Sequence, residues 1–338
     1  MSMNKRIDFS KARNVKAAAV GFDVDLHPDG KDNLQIMLEY INKYAAEGCE
    51  LIVFPEGALD GISPTKQGRI DYNNSIRGSA DEEAARHLYE DTEYVPEGPS
   101  SQALIKKAME KKVYVSWCME RRSELDPAIY YNTAVLAGPE GYIGRYDKVH
   151  LPGGEQLINS NGQGFPVFDT AIGRIGMAIC YDSFFSEIYR IYGTKGVDIL
   201  LLLTGVPRDF QDSPIEADAT YRYFKTTLIS GAMGNGLTIV AANAGNPGAL
   251  HHSMIINARG EVLAEAPEEE PEGTAVADLG WPALENKKHQ VTNTWGLYLF
   301  KDRHPELYMD IVKLQEGHYF NNNAIKSIYN MTCGIEEE

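Results

Sequence analysis

The feature that most constrains the fold of this chain is an order of strands, helices and a hairpin that occurs twice. In each half, apolar stretches of strand length alternate with segments whose apolar residues recur at helical spacing, and a hairpin follows. The predicted strands outside the hairpins are residues 15–22, 50–54, 113–119, 174–180, 198–204 and 237–243. Because strands that alternate with helices build a buried sheet, this order predicts a layered α/β fold.

The similarity of the two halves predicts how the layers are arranged. Each half supplies one sheet and its helices, so we expect a four-layer α-β-β-α sandwich of two sheet-plus-helix halves, not two independent domains. The hairpins turn at residues 138–141 and 258–260. We assign residues 1–281 to this domain. Residues 282–338 are polar, rich in asparagine and aromatic residues, and are predicted to extend over the surface or a neighbouring subunit.

The acidic balance of the chain excludes one class of partner. Its 338 residues include 32 basic and 48 acidic side chains, a formal net charge of −16, whereas a nucleic-acid groove needs a basic stripe. The sequence lacks an apolar stretch of about 18 residues that could cross a bilayer, and its start lacks the apolar run of a secretory signal. Its 4 cysteines have no C-x-x-C spacing. These features predict a cytoplasmic protein that binds neither nucleic acid nor membrane.

Three reactive side chains stand at the ends of predicted strands. Glu56 follows the strand over residues 50–54, Lys148 follows the first hairpin, and Cys180 ends the strand over residues 174–180. In α/β sheets, functional groups gather at such ends, where the chain leaves the core. Each residue alone is more typical of an inert core thiol or a solvated charge, so the prediction rests on their combination.

This combination resembles the carbon–nitrogen hydrolase (nitrilase) superfamily. The family's landmarks occur in the family's order: Phe54-Pro55-Glu56, Tyr131-Asn132-Thr133, Lys148-Val149-His150-Leu151, Cys180-Tyr181-Asp182, residues 240–243 and residues 253–264. The chain departs from the pattern at Gly231 and Gly234, which replace an arginine and a glutamate, and at Ser186, which replaces a proline. The resemblance implies a nitrilase-like version of the sandwich predicted above.

The resemblance and the chemistry of amide cleavage together imply roles for particular residues. Cleavage needs a nucleophile, a proton shuttle and a positive charge near the oxyanion. Cys180 is expected to be the nucleophile, and Glu56 is expected to take its proton and pass it to the leaving amine. Lys148 and the backbone N–H of Tyr181 are expected to stabilise the oxyanion. Glu155 fits the family's second glutamate, which holds Lys148 or assists Glu56 electrostatically.

The substrate is predicted to be a small molecule that residues around the nucleophile contact. The candidate contacts are Tyr181, Asp182, Phe184 and Arg208. Asp182 has an alternative role as an anchor of the turn that follows the nucleophile. Phenylalanines stand where carbamoylases of the family often carry arginines, so we expect a partly apolar pocket.

The sequence therefore predicts a thiol hydrolase that acts on a small linear amide or an N-carbamoyl amine through a cysteine thioester. Two alternatives stay open, a nitrilase that uses the same cysteine on a nitrile and an inactive binding protein of the same fold. No cofactor and no metal ion are expected, since the pair His251-His252 has no third ligand at suitable spacing.

A short helix after the nucleophile is expected to contribute to a homo-oligomer, at least a dimer. In residues 184–192 one apolar stripe faces the chain's own sheet, and Phe185 and Tyr189 form a second stripe that adds to an exposed apolar patch. The resemblance implies the same arrangement, because this superfamily commonly pairs through this helix. The alternative is a helix that its own chain buries on both faces.

Overall fold

The first half of the chain forms a mixed sheet with two helices against its outer face. The computed structural model describes residues 14–25, 32–61, 92–152, 155–156, 158–208, 217–267, 273–282, 291–292 and 297–312. The strands of the first half are β1 (Lys16–Ala19), β2 (Leu51–Val53), β3 (Tyr114–Arg122), β4 (Tyr130–Gly138) and β5 (Gly141–Asp147). Its helices are α1 (Asn33–Ala46) and α2 (Pro99–Lys111).

The second half repeats this arrangement with a second mixed sheet. Its strands are β6 (Phe168–Thr170), β7 (Gly173–Ile179), β8 (Ile199–Thr204), β9 (Thr238–Asn243), β10 (Met254–Ile256) and β11 (Val262–Glu265). Its helices are a 3-10 turn (Cys180–Phe184), α3 (Ser186–Thr194) and α4 (Ala217–Asn235). In both sheets the central strands run parallel, and an antiparallel hairpin, β4–β5 or β10–β11, extends one side.

Two edge strands that were not predicted from the sequence complete the sheets. β6 pairs antiparallel with β7, and β12 (Ala275–Asp278) returns after the second half to pair antiparallel with β1. In the described part of the chain each sheet thus has 6 strands, in the orders β12-β1-β2-β3-β4-β5 and β11-β10-β9-β8-β7-β6. The two halves are therefore joined by strand pairing as well as by packing.

Apolar side chains fill the spaces between the layers. Met37 of α1 and Leu104 of α2 belong to the cluster on the outer face of the first sheet. Leu51 and Leu201 belong to the cluster between the two sheets, whereas Leu200 belongs to the cluster under α3 and α4. Neighbouring residues of one strand thus pack on opposite faces of the sheet, because side chains alternate along a strand. The predicted α/β four-layer α-β-β-α sandwich is confirmed.

The N-terminal end of α2 shows why some observed boundaries differ from the predicted ones. The sequence predicts a helix from about Gln102 to Lys112, with start signals at Pro99, Ser100 and Ser101, whereas the observed helix begins at Pro99. The carboxylate of Glu93 accepts the backbone N–H groups of Ser100 at 3.1 Å and Ser101 at 3.4 Å. The side chain of Glu93, which lies outside the helix, therefore satisfies unpaired donors of the first turn. Sequence periodicity does not reveal such a contact.

The predicted helix over residues 184–192 is divided into the 3-10 turn and α3, and the chain itself buries one face of α3. Tyr189, which was expected in an exposed stripe, is 2% exposed, and its hydroxyl donates to the carbonyl of Ser183 at 2.9 Å. Phe185, the other member of that stripe, lies at the junction of the two helices and is half-buried. The prediction of an exposed Tyr189 is therefore wrong, and the alternative of burial by its own chain holds for this residue.

The burial of Tyr189 explains one departure from the resembled pattern. A Cβ atom built on Gly231 of α4 would lie 2.5 Å from the Tyr189 ring. A side chain at position 231 and the Tyr189 ring cannot occupy the same volume, so glycine at this position is a packing requirement. Gly234 differs, because a Cβ atom there would meet nothing within 4 Å, and nothing in the structure explains that glycine.

The described part of the C-terminal extension contacts α3. It contains a small hairpin of β13 (Val291–Thr292) and β14 (Leu297–Tyr298), followed by 3-10 turns at Pro305–Leu307 and Met309–Val312. The guanidinium of Arg190 lies 5.6 Å from the centre of the Phe300 ring. The domain boundary at residues 281 and 282 stays a prediction. Among the described helices, none is long and apolar enough to cross a membrane.

Two alanine substitutions in α4 test the packing of Tyr189. Gly231→Ala is expected to lower the free energy of unfolding by about 1–3 kcal/mol, because the new methyl group overpacks the Tyr189 ring. Gly234→Ala, three residues later, is expected to raise it by up to about 1 kcal/mol, because alanine loses less backbone entropy in a helix. Urea unfolding of both variants measures the difference. Equal effects of the two substitutions would contradict the proposed contact.

Candidate active site

Three strand ends bring reactive side chains to one edge of the sandwich. Glu56 follows β2 of the first sheet, Lys148 follows β5 of the same sheet, and Cys180 follows β7 of the second sheet. The backbone N–H of Glu56 donates to the carbonyl of Thr204 at the end of β8, at 3.4 Å, so the two sheets touch at this edge. The fold thereby joins Glu56 and Lys148, which are 92 positions apart in the sequence.

A closed network of hydrogen bonds surrounds the Lys148 ammonium group. Its Nζ atom donates to Glu56 Oε1 and to Glu155 Oε2, each at 2.7 Å. The amide Nδ2 of Asn132 bridges the same two carboxylates, at 2.9 Å from Glu56 Oε1 and 2.8 Å from Glu155 Oε1. Lys148 is 1% exposed and Glu56 is 6% exposed. Both glutamates singled out in the sequence thus contact the lysine directly.

Asn132 is a site residue whose side chain could not be assigned a function from the sequence. It lies on β4, and its Oδ1 accepts a hydrogen bond from the Cys118 thiol at 2.9 Å. Because Oδ1 accepts on that side, Nδ2 faces the two carboxylates. The one signal in the sequence is that this polar residue stands just before the apolar part of a strand, which begins at position 134. The partners of Asn132 lie on other elements, so the sequence does not reveal its contacts.

Glu56 and Lys148 hold each other in their charged forms. Burial by itself raises the pKa of Glu56, but the Lys148 ammonium and hydrogen bonds from Lys148, Cys180 and Asn132 outweigh burial and keep the pKa below its ordinary value. Burial opposes the charge of Lys148, yet the negative charges around it, that of Glu56 foremost, hold the pKa of Lys148 well above its ordinary value. At neutral pH the site therefore contains a carboxylate and an ammonium group in contact.

Cys180 begins its 3-10 turn in a strained backbone conformation. Its φ angle is +43°, a region that residues other than glycine rarely adopt and that is typical of functional sites. Burial and the charge of Glu56 raise the pKa of the Cys180 thiol to about 12, against the opposing effects of Lys148 and the backbone N–H of Gly205. At neutral pH the thiol is therefore protonated, and it hydrogen-bonds Glu56.

Glu155 is the weaker acid of the two carboxyl groups. Burial raises the pKa of Glu155, and the nearby charge of Glu56 adds to this effect, while Lys148 and Asn132 offset it only in part. The pKa values of two carboxyls on one ammonium group are thus shifted in opposite directions. Active sites use this pattern to give two similar groups different protonation states.

Aromatic side chains surround the turn that carries the cysteine. The Tyr181 ring packs against Phe184 and Phe185, with ring-centre distances of 5.6 and 5.1 Å. Phe184 in turn stacks on Tyr223 of α4 at 5.0 Å. Tyr181 and Phe184 are both partly exposed, so they remain candidates for substrate contact. Arg208, also predicted as a contact, is exposed beyond the end of β8.

Asp182 has contacts that differ from those of a substrate-binding residue. Its side chain is 0% exposed. One carboxylate oxygen accepts from the Tyr146 hydroxyl and the Ile179 N–H, and the other accepts from the backbone N–H and the ring Nδ1 of His150. These four donors occupy the lone pairs of the carboxylate. The alternative role, an anchor of the turn, therefore replaces the predicted substrate contact of Asp182.

The pair His251-His252 is part of a loop after β9. Both residues have positive φ angles, 60° and 49°, and His252 Nδ1 hydrogen-bonds the carboxylate of Glu265 at 2.9 Å. Within the described residues, no group of three or more histidine, cysteine, aspartate and glutamate side chains is arranged to hold a metal ion.

Nearly the whole predicted domain matches one known protein family. Residues 16–288 match the carbon-nitrogen hydrolase family. The chain is 30% identical over 291 residues to a nitrilase of Pyrococcus abyssi, covering 84% of this chain and 94% of that protein. It is 29% identical to an N-carbamoylputrescine amidase of Solanum lycopersicum over 55% of this chain and 64% of that protein. An omega-amidase of Homo sapiens is 27% identical over 82% of this chain and 91% of its own length.

The same fold occurs among solved structures. A carbon-nitrogen hydrolase from Helicobacter pylori G27 superposes with a TM-score of 0.69 over 89% of this chain and 99% of that chain, at 19% sequence identity. At this identity the superposition demonstrates a shared fold.

Replacement of Lys148 by methionine tests the charge balance of the site. The variant leaves the carboxyls of Glu56 and Glu155 buried without their cation, so we expect it to lose about 3–5 kcal/mol of unfolding free energy at neutral pH. Without the cation, the folded-state pKa of these carboxyls rises above its unfolded value. The loss should therefore shrink as the pH falls to about 5, where the carboxyls take up protons.

Urea unfolding at the two pH values measures the effect. Lys107→Met, which removes one of the two lysine partners of the exposed Glu110 in α2, is the matched control and should change the unfolding free energy little at either pH. A loss that is equal at both pH values for Lys148→Met would contradict the assigned charges.

Proposed function

The chain belongs to the carbon–nitrogen hydrolase family, and on that premise we propose that it cleaves a small linear amide or N-carbamoyl amine through a cysteine thioester. The observation that carries the proposal is the contact of the Lys148 ammonium with Glu56 and Glu155 beside the Cys180 thiol. These side chains supply the nucleophile, the proton acceptor and the positive charge that the reaction needs.

In the first half-reaction, the Cys180 sulfur attacks the carbonyl carbon while its proton passes to Glu56. Oε1 of Glu56 already accepts from Lys148 and Asn132, so Oε2 is the oxygen that receives the proton. The Lys148 ammonium and the backbone N–H of Tyr181, in the first turn of the 3-10 helix, stabilise the oxyanion. When the C–N bond breaks, Glu56 returns the proton to the departing nitrogen, and the acyl group stays on sulfur as a thioester.

In the second half-reaction, water takes the place of the departed amine. Glu56 accepts a proton from the water as the water oxygen attacks the thioester carbon, and the oxyanion forms again beside Lys148. The C–S bond then breaks, the acid leaves, and the proton on Glu56 returns to the Cys180 sulfur. The enzyme thus ends in its starting protonation state.

The direction of the pKa shifts supports proton transfer during attack, not a thiolate formed beforehand. The raised pKa of Cys180, about 12, keeps its thiol protonated at neutral pH, and the lowered pKa of Glu56 keeps its carboxylate ready to accept. A thiol next to a carboxylate in this state is activated only as the new bond forms.

The choice of amides or N-carbamoyl amines is supported by the relatives and by the turn after Cys180. Two of the relatives described above are named amidases. Ser183, Phe184 and Phe185 bring no positive charge to hold a substrate carboxylate, and the aromatic rings favour a neutral or extended substrate. A nitrilase is the second candidate, supported by the name of the Pyrococcus abyssi relative. On a nitrile the same cysteine would form a thioimidate.

We also propose that the protein is a cytoplasmic homo-oligomer that binds neither nucleic acid nor membrane. The described part of the C-terminal extension supports assembly, because Leu307, Ile311 and Val312 are 73%, 64% and 72% exposed. Clustered exposed apolar side chains of this kind mark interaction surfaces. The contribution of Trp295–Phe320 to such a surface lies partly outside the described residues.

Substitution of the nucleophile tests the proposed function. Cys180→Ala is expected to lower ammonia release by at least about 1000-fold, because the variant lacks the sulfur on which the thioester is proposed to form. Cys49→Ala, which changes a buried cysteine of the cluster on the outer face of the first sheet, is the control and should retain activity. A panel of amides, N-carbamoyl amines and nitriles measures the release. Equal rates in the parent and Cys180→Ala would refute the mechanism, and product from nitriles alone would favour the nitrilase.

The pH dependence of the reaction tests the assignment of the base. The hydrogen bond from Asn132 helps to lower the pKa of Glu56, so Asn132→Leu should raise the pKa of the base. As the pH falls, the variant should therefore lose kcat/KM earlier than the parent does. Asn257→Leu, at the turn of the second hairpin, should leave the profile unchanged. An acidic limb that stays in place in Asn132→Leu would contradict the role of Glu56.

A further inference from the structure

We propose that Asp182 is a positioning residue that joins the backbone around Lys148 to the turn that carries Cys180. The inference rests on the proposed function and goes beyond it, because it assigns a task in catalysis to a side chain that touches no reacting atom. Two segments must keep a fixed distance during the reaction, the one with the oxyanion lysine and the one with the nucleophile. They come from different sheets, so strand pairing does not connect them.

The carboxylate of Asp182 supplies that connection. Its Oδ1 accepts the backbone N–H of His150 at 3.1 Å and the ring Nδ1 of His150 at 2.8 Å, which holds the segment after β5. Its Oδ2 accepts the backbone N–H of Ile179 at 2.9 Å, the residue directly before Cys180. Each oxygen of one buried side chain therefore binds the backbone of a different sheet at the catalytic edge.

Tyr146 extends this connection to the other side of Lys148. Its hydroxyl donates to Asp182 Oδ2 at 2.6 Å and accepts the backbone N–H of Val149 at 3.2 Å. Burial and the negative charge of Asp182 raise the pKa of Tyr146, so the hydroxyl keeps the proton that it donates. Residues 146, 149 and 150 are thus fixed to Asp182, and the lysine between them cannot shift independently of the nucleophile.

The strained conformation of Cys180 makes this connection necessary. A residue with φ of +43° keeps that conformation only when its neighbours over-determine it. The bond from Ile179 to Asp182 acts on one side, and the Ser183 hydroxyl, which donates to the Cys180 carbonyl at 2.7 Å, acts on the other. If the link to Asp182 weakens, the turn relaxes and the sulfur moves relative to Glu56.

The side chain of His150 closes the outer side of the same cluster. Its ring stacks on Phe185, at the end of the 3-10 turn, with ring centres 3.8 Å apart. The segment after Lys148 therefore contacts the nucleophile turn at both ends, through Asp182 near the start of the turn and through Phe185 at its end.

The experiment compares two buried tyrosines. Tyr146→Phe removes the hydroxyl that binds Asp182, and Tyr192→Phe removes an equally buried hydroxyl that donates to the carbonyl of Met177 at 2.5 Å. Tyr146→Phe loses two hydrogen bonds of a buried phenol and Tyr192→Phe loses one, so both should lower the melting temperature, Tyr146→Phe by more. Only Tyr146→Phe should lower kcat, by about 10- to 100-fold with little change in KM, because a small displacement of reacting groups has effects of this size.

A second readout does not depend on the substrate. Alkylation of Cys180 by iodoacetamide is measured by intact mass at several pH values. The alkylation rate should change in Tyr146→Phe and should equal that of the parent in Tyr192→Phe. Asp182→Asn replaces a carboxylate oxygen with an NH₂ group, which then faces hydrogen-bond donors. This variant should therefore show a larger loss of kcat than Tyr146→Phe. If that variant does not fold, the two tyrosine variants decide the question.

The outcomes separate this inference from the proposed function. The positioning role would be overturned if both tyrosine variants had equal effects on kcat and alkylation, or if Tyr146→Phe had no effect. In that case a loss of activity in Cys180→Ala would still support the proposed hydrolase. Full activity of Cys180→Ala would overturn the proposed function, and the alkylation rates would then still report whether Asp182 positions the thiol.

Discussion

The chemistry of the site depends on one buried cation, the ammonium group of Lys148. An ammonium group that is 1% exposed has lost its water, and a protein tolerates such a charge only when it is paired and hydrogen-bonded. Glu56 and Glu155 supply the pairing, and Asn132 ties the two carboxylates together. Burial and the charge of Glu56 raise the pKa of the neighbouring Cys180 thiol, and Lys148 offsets this effect only in part. The thiol therefore stays protonated until it attacks.

That arrangement needs both sheets at once. Glu56 and Lys148 come from the ends of β2 and β5 in the first sheet, and Cys180 comes from the end of β7 in the second. The apolar cluster between the sheets sets the distance between them. At the catalytic edge, hydrogen bonds connect the two halves. The Glu56 N–H donates to the Thr204 carbonyl, and the carboxylate of Asp182 accepts from His150 and Ile179. The core and the site are thus parts of one packing arrangement.

Much of this could be predicted from the sequence, for identifiable reasons. The strands and the four-layer order could be predicted because a strand that is buried on both faces has a near-continuous apolar stretch, as Ile199–Leu203 has. The reactive residues Glu56, Lys148 and Cys180 were recognisable because they stand at strand ends in a combination that resembles the carbon–nitrogen hydrolase superfamily. Asn132 could not be assigned a contact, since its partners Cys118 and Glu155 lie on other elements. β12 was missed because four residues at an edge show little periodicity.

The sequence by itself determined the types of element, the number of layers and the chemical groups available, because periodicity and strand ends are local properties of a chain. Only the tertiary structure decided which groups meet. The ring of Tyr189 turned inward because Gly231 leaves room for it, and the carboxylate of Asp182 faces protein donors instead of a substrate. Such choices depend on how two sheets and two helix layers pack. Burial and hydrogen-bond partners are set by residues far apart in the chain, and no local pattern contains that information.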